Sequence, residues 1–194
     1  MDKQIDRSIY YSMLADKPGQ AERLESENMF SLLKSNVLLV LKYALSQCQK
    51  EIATTPAENP YEINRACARS KFLQILVTNT DLVSVSFCVT ELSLHPQLQH
   101  IYLDSLFTLV GDTHENGKLF QDRQVELFIK YDPERVLDFL RTASCFSYPK
   151  AYQLCSDKEM IPEMLYLLGK MGDTRKALYL IIEKVGDVHM AIDF

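Results

Sequence analysis

A seven-residue phrase that returns after fourteen residues constrains this chain more than any other feature. Gly172-Asp173-Thr174-Arg175-Lys176-Ala177-Leu178 comes back as Gly186-Asp187-Val188-His189-Met190-Ala191-Ile192. Each copy reads as the end of one helix and the start of the next. Glycine reaches the left-handed backbone that closes a helix, aspartate accepts the free N–H groups of the next one, and alanine lets two helices approach closely. The small-residue signal appears again at Ala151, after Ser147 and Pro149, and Asp132-Pro133 and Pro162 mark two further starts, since proline loses nothing in a first helical turn. Helices this short cannot bury an apolar face alone, so they stack in layers. The predicted class is all-α, an α-solenoid of stacked antiparallel helix pairs. A compact bundle with coincidental spacing is the competing architecture.

Composition narrows the chemistry. With 194 residues, 47% of them hydrophobic, the chain can bury a sizeable core. Six glycines and no tryptophan argue against a β-sandwich. A net charge of -5 supplies no basic face for a polyanion, so nucleic acid is not an expected partner. The opening MDKQIDRSIYYSML is too charged for a signal peptide, and the apolar run 37–41 stops at Lys42, so no transmembrane segment is predicted. Cys48, Cys67, Cys88, Cys145 and Cys155 are odd in number and lack CxxC spacing, which predicts reduced, buried thiols. His95, His100, His114 and His189 are scattered, and no phosphate loop, nucleophile elbow or HExxH pair occurs. Asp112, His114 and Glu115 read as a polar turn, and Asp132 and Glu134 as carboxylates suited to a helix N-terminus. The reading is therefore of no enzyme, with no catalytic residue, cofactor or metal site.

In chain order, apolar spacing predicts helices over 5–14, 21–33 and 37–48, the last with a stripe wide enough to be nearly buried. The stretch 53–60, with two prolines, is a loop. Ile63, Ala66, Cys67, Phe72, Leu73, Leu76 and Val77 then mark a buried face, with Ser70 a possible break. Residues 81–94 carry conflicting signals, because Val83, Val85, Phe87 and Val89 alternate as a strand would. A lone strand has nothing to pair with. With Ser84 as N-cap, Val85, Cys88, Val89 and Leu92 form a helical stripe, and the helical surroundings decide for helix. Helix resumes over 98–110, and 111–117 is a turn. Most aromatic residues fall among apolar neighbours at helical spacing, with some tyrosines expected at layer edges.

PQLQHIYLDSLF at 96–107, the helix 124–131, DFLR at 138–141, KAYQLC at 150–155 and EMLYLLGKMGDTRKALYLIIEKVGDVHMAIDF at 163–194 together resemble the clathrin heavy-chain repeat of the vacuolar protein sorting protein forty-one family. That family is a subunit of the HOPS tethering complex. The resemblance implies a single α-solenoid segment over 1–194, with 1–50 as weaker-matching preceding helices, 51–64 as a loop or insertion, and 81–194 as the repeat core. It further implies a cytosolic scaffold, peripheral on the late endosome, lysosome or vacuole membrane, that works by protein–protein interaction. Its implied partners are other HOPS tethering subunits, Rab-type GTPases and vesicle coat or adaptor proteins. Family members begin with a β-propeller and end in a cysteine-rich RING domain. Neither signature occurs here, and helical signals run to Phe194, so the chain reads as a fragment or truncated homologue whose last helix, 188–194, offers an apolar edge for self-association. The functional alternative is a generic helical-repeat adaptor that binds extended peptides on a concave face.

Overall fold

The computed structural model describes residues 37–54, 71–110 and 118–185, together with Leu33, Asn64, Cys67 and Ala68. Among these residues every regular element is a helix and none is a strand, so the class is the all-α helical-repeat solenoid. The helices expected over 5–14 and 21–33, the 111–117 turn and the motif copy at Gly186, Asp187 and Ala191 lie outside the described residues, Leu33 apart. Contacts gather into two compact units, Met1–Ser105 and Leu106–Phe194, where the sequence reads as one uninterrupted segment.

The first unit holds α1 (Val37–Thr54), α2 (Lys71–Thr78), α3 (Val85–Glu91) and the start of α4 (Pro96–Val110). The wide stripe of α1 predicts near-complete burial, but among its described side chains Val40, Leu41, Ala44 and Cys48 are buried while Leu38 is 37% exposed. Lys42, Ser46, Gln49 and Lys50 face solvent, so α1 is amphipathic, with the surplus leucine at the stripe's edge. The helix also continues through Thr54, into the stretch 51–64 expected as loop. Pro56 is the first residue there that disfavours helical backbone, and it acts on its immediate predecessor. Leu73 and Leu76 of α2 meet Leu41, Ala44 and Cys48 of α1 and Leu98 and Ile101 of α4 around a small apolar cavity.

The conflicting segment resolves as helix. Ser84 stands before α3 in a non-helical conformation without using its hydroxyl as a cap, and Val85, Cys88 and Val89 form the buried face. Leu92–Leu94 adds a 3-10 turn. Gln99 of α4 donates its side-chain N–H to the Val89 carbonyl at 2.9 Å, satisfying an acceptor near the end of α3 that would otherwise be costly to bury.

The second unit is a succession of short helices: α5 (Gln121–Tyr131), α6 (Val136–Thr142), α7 (Tyr148–Ser156), α8 (Ile161–Met171) and α9 (Thr174–Leu180). A 3-10 turn, Pro133–Arg135, leads into α6, and a π turn, Ile181–Val185, follows α9. Pro149 and Pro162 sit in first turns, where no intrahelical N–H bond is lost. One core joins Val125 and Phe128 of α5, Phe139 and Leu140 of α6, Ala151 and Cys155 of α7, and Met164 and Leu167 of α8. A second joins Leu165 and Leu168 of α8 to Ala177 of α9 and Ile181. The connection from α6 to α7 is held by the first turn of α5. Gln121 Oε1 accepts the Cys145 N–H at 2.5 Å, and Asp122 Oδ1 accepts the Ser147 N–H at 2.7 Å.

Candidate interaction surface

The junction between α8 and α9 is built from the motif found in the sequence. Gly172 has φ 73°. A Cβ added there would meet nothing within 4 Å, so conformation and not space selects glycine. Its N–H donates to the Gly169 carbonyl at 3.2 Å, and the Asp173 N–H donates to the Leu168 carbonyl at 3.0 Å; these two bonds close α8 as a Schellman turn. Asp173 then opens α9 by accepting the Lys176 N–H at 3.2 Å, and the Lys176 ammonium lies 2.8 Å from the same carboxylate. The side-chain and backbone hydrogen bonds from Lys176 hold the Asp173 carboxyl below its usual range. A depressed folded-state value means that this cap contributes at neutral pH and is lost as pH falls through the carboxylate range. Ala177 is fully buried against Leu165, Leu168 and Ile181.

Among the described residues a second helix end of the same kind carries no glycine. Glu159 has φ 52°, its N–H donates to the Ser156 carbonyl at 3.1 Å, and the Met160 N–H donates to the Cys155 carbonyl at 3.0 Å. This is the Gly172 closure thirteen residues earlier, with glutamate where glycine is expected. Met160, Ser147 and Asp173 each precede a helix, and the residue four positions on (Met164, Ala151 or Ala177) bonds back to that carbonyl and is buried. The only local signal was the spacing. Left-handed backbone is costly for a residue with a Cβ, while glycine adds entropy to the unfolded chain. Strain relief is the larger effect, so Glu159→Gly is expected to stabilise by about 0.5–1 kcal/mol in urea melts. A loss of stability would contradict the left-handed closure.

Around these junctions the surface is mixed. Lys150 of α7 reaches Glu126 of α5 at 2.9 Å, and Arg123 reaches the same carboxylate at 2.7 Å. Partial burial works against ionisation of Glu126, yet hydrogen bonds from Lys150 and Arg123 outweigh it and hold the carboxyl below its usual range. Leu82, Phe87 and Leu94 of the first unit, and Leu109, Leu119, Tyr179 and Ile182 of the second, are large apolar residues open to solvent. Tyr102, in contrast, is fully buried, and the Tyr166 hydroxyl donates to the Leu140 carbonyl at 3.2 Å, so the tyrosines divide between core and edge.

The thiols divide as sharply. Cys48, Cys67, Cys88 and Cys155 are buried, whereas Cys145 is exposed, a departure from the uniform burial expected. Burial pushes the Cys88 thiol up to about 11 and the Cys155 thiol up to about 12. At pH 8 both thiols stay almost wholly protonated, and the thiolate is the reactive form. Native protein treated with a thiol reagent at pH 8 should therefore label once, at Cys145, and all five cysteines should label in denaturant. Rapid native labelling of Cys88 or Cys155 would contradict the packing. Among the described residues no group of three or more His, Cys, Asp or Glu side chains could hold a metal ion, and no helix is long and apolar enough to cross a membrane.

Comparison with known proteins places this helical stack. A family model described as the Vps41 TPR-like region matches residues 2–194, so the match takes in the first half of the chain, where the resemblance read from sequence is weak. The vacuolar protein sorting-associated protein 41 homologs of mouse and human are each 36% identical over 193 residues, covering 100% of this chain but 20% and 19% of their own lengths. The homolog of Solanum lycopersicum is 29% identical over 202 residues, covering 100% of this chain and 18% of its own. The chain thus spans about one-fifth of the length of these relatives. No solved structure matches it. A family match over nearly every residue, together with relatives aligned along the whole chain, makes this protein a member of the Vps41 family, within its TPR-like helical region.

Proposed function

We propose that this chain is a non-enzymatic scaffold segment of a HOPS-type membrane-tethering subunit, acting by protein–protein contact in vesicle transport and fusion at the late endosome, lysosome or vacuole. The observation that carries the reading is the Vps41 family match over residues 2–194. It is supported by an architecture of short packed helices in which the small residues Ala151 and Ala177 are buried at contacts between neighbouring helices. Such stacks present extended surfaces to partners. In this reading the chain is peripheral on the organelle membrane from the cytoplasmic side. Its partners are other tethering subunits, Rab-type GTPases and vesicle coat or adaptor proteins.

The test is affinity capture from cell lysate with the chain as bait, probed by antibodies against the other tethering subunits and late-endosomal Rab GTPases. A bait carrying Ala177→Arg, which breaks the layer contact, is the control. Capture of tethering subunits by the parent and its loss in the variant is the expected result. A folded parent that captures none of them above an unrelated helical-repeat bait would overturn the proposal.

A further inference from the structure

Helix α3 is apolar on two sides. Val85, Cys88 and Val89 form its buried face, while Phe87 is 39% exposed, Leu82 in the turn before it 40%, and Leu94 in the 3-10 turn after it 85%. Residues three or four apart share one helical face, so Phe87, Glu91 and Leu94 form one stripe open to solvent. Single exposed leucines are ordinary, and charge is what sets this stripe apart. Between Lys71 and Lys118 the chain has no lysine or arginine, whereas Asp81, Glu91, Asp104, Asp112 and Glu115 all fall there. The net charge of the whole chain, -5, therefore equals that of residues 72–117 alone. Asp81 and Glu91, beside the stripe and within it, are exposed, and among the described residues neither is ion-paired. Tyr179 and Ile182 of the second unit, in contrast, share α9 and its π turn with Arg175, Lys176 and Lys184.

We infer that the face carrying Leu82, Phe87, Glu91 and Leu94 docks a basic amphipathic helix of another protein, whose apolar stripe covers Phe87 and Leu94 and whose lysines or arginines meet Asp81 and Glu91. An amphipathic helix docks through apolar anchors on one face, and opposite charge around them steers the encounter and excludes wrong partners. Charge also decides against the other occupants. An anionic lipid surface is repelled by a cation-free acidic stretch, and two copies meeting through this face would set carboxylate against carboxylate. Residues 1–36, 55–70 and 186–194 each carry at least as many acidic as basic residues, so none of them supplies the basic helix. The face belongs to the scaffold reading of the chain, but its test uses purified components, so the two can fail separately.

The probe is a fluorescein-labelled synthetic amphipathic helix of leucine and lysine, titrated with the full chain at physiological salt and followed by anisotropy. Its controls are the same residues scrambled to remove the stripe, and a version with glutamate in place of lysine. Saturable binding of the striped lysine helix alone is expected, weakened several-fold by Leu94→Asn. Leu94 is 85% exposed, so this change should leave helical circular dichroism unaltered. Glu91→Lys should weaken binding as much and flatten its dependence on salt. Tyr179→Asn, at an exposed apolar residue of the second unit, should change nothing. No saturable binding, equal binding of the scrambled helix, or an equal response to Leu94→Asn and Tyr179→Asn would overturn the inference. So would co-sedimentation with phosphatidylserine vesicles, or a dimer, that Leu94→Asn abolishes, since the occupant would then be a lipid surface or a second copy.

Discussion

Phe139→Ala is expected to be the most damaging single truncation, costing about 3–5 kcal/mol. The ring is 4% exposed. It stacks on Phe128 at a centroid distance of 4.6 Å and 20° between planes, and it meets Phe107 edge-on at 5.2 Å and 63°. Removing it opens a cavity between α5, α6 and their neighbours that backbone cannot fill, and it breaks two aromatic contacts, each worth about 0.5–1.5 kcal/mol beyond area burial. Total stabilities are about 5–15 kcal/mol, so the loss is a large share of what the fold has. At about 2–4 °C per kcal/mol for a chain of this size, the melting temperature should fall by roughly 6–20 °C. Phe139→Leu keeps more volume and should cost clearly less. Near-ultraviolet circular dichroism during thermal melts separates the two, and equal shifts would contradict the packing of this ring.

Ala177→Leu tests the layer contact from the opposite direction, by adding atoms. Ala177 has no exposed surface and touches Leu165, Leu168 and Ile181, so three extra carbons force α8 and α9 apart or drive side chains from their rotamers. The expected cost is about 1–3 kcal/mol. Lys176→Leu, one residue earlier and 69% exposed, should cost less than about 1 kcal/mol. It loses only a surface ion pair, while Asp173 still accepts the backbone N–H of residue 176. Urea midpoints measure both. Equal destabilisation would show that Ala177 is not the residue that sets the spacing.

Helix boundaries were legible wherever they depend on local chemistry. Asp132-Pro133, Ser147 with Pro149, Pro162, and Gly172-Asp173 all fall where helices start or stop, because a fixed proline φ, a left-handed glycine and, at Asp173 alone of these, a capping carboxylate act within one turn of chain. The helical state of 85–91 was decided by context, since its alternation fits both a strand and a stripe containing Val85, Cys88 and Val89. Only tertiary structure decided the rest. Glu159 takes a left-handed conformation that its own type disfavours, held there by the two packed helices on either side. Gln121 and Asp122 look like ordinary surface polar residues, yet they secure backbone 24 and 25 residues away. The wide stripe of α1 overstates its burial, because a sequence records which residues are apolar but not how many neighbours arrive to cover them. Helix ends marked by proline or by the Gly172-Asp173 pair were therefore determined by the residues themselves, and the Glu159 closure and the covered faces by contacts between residues far apart in the chain.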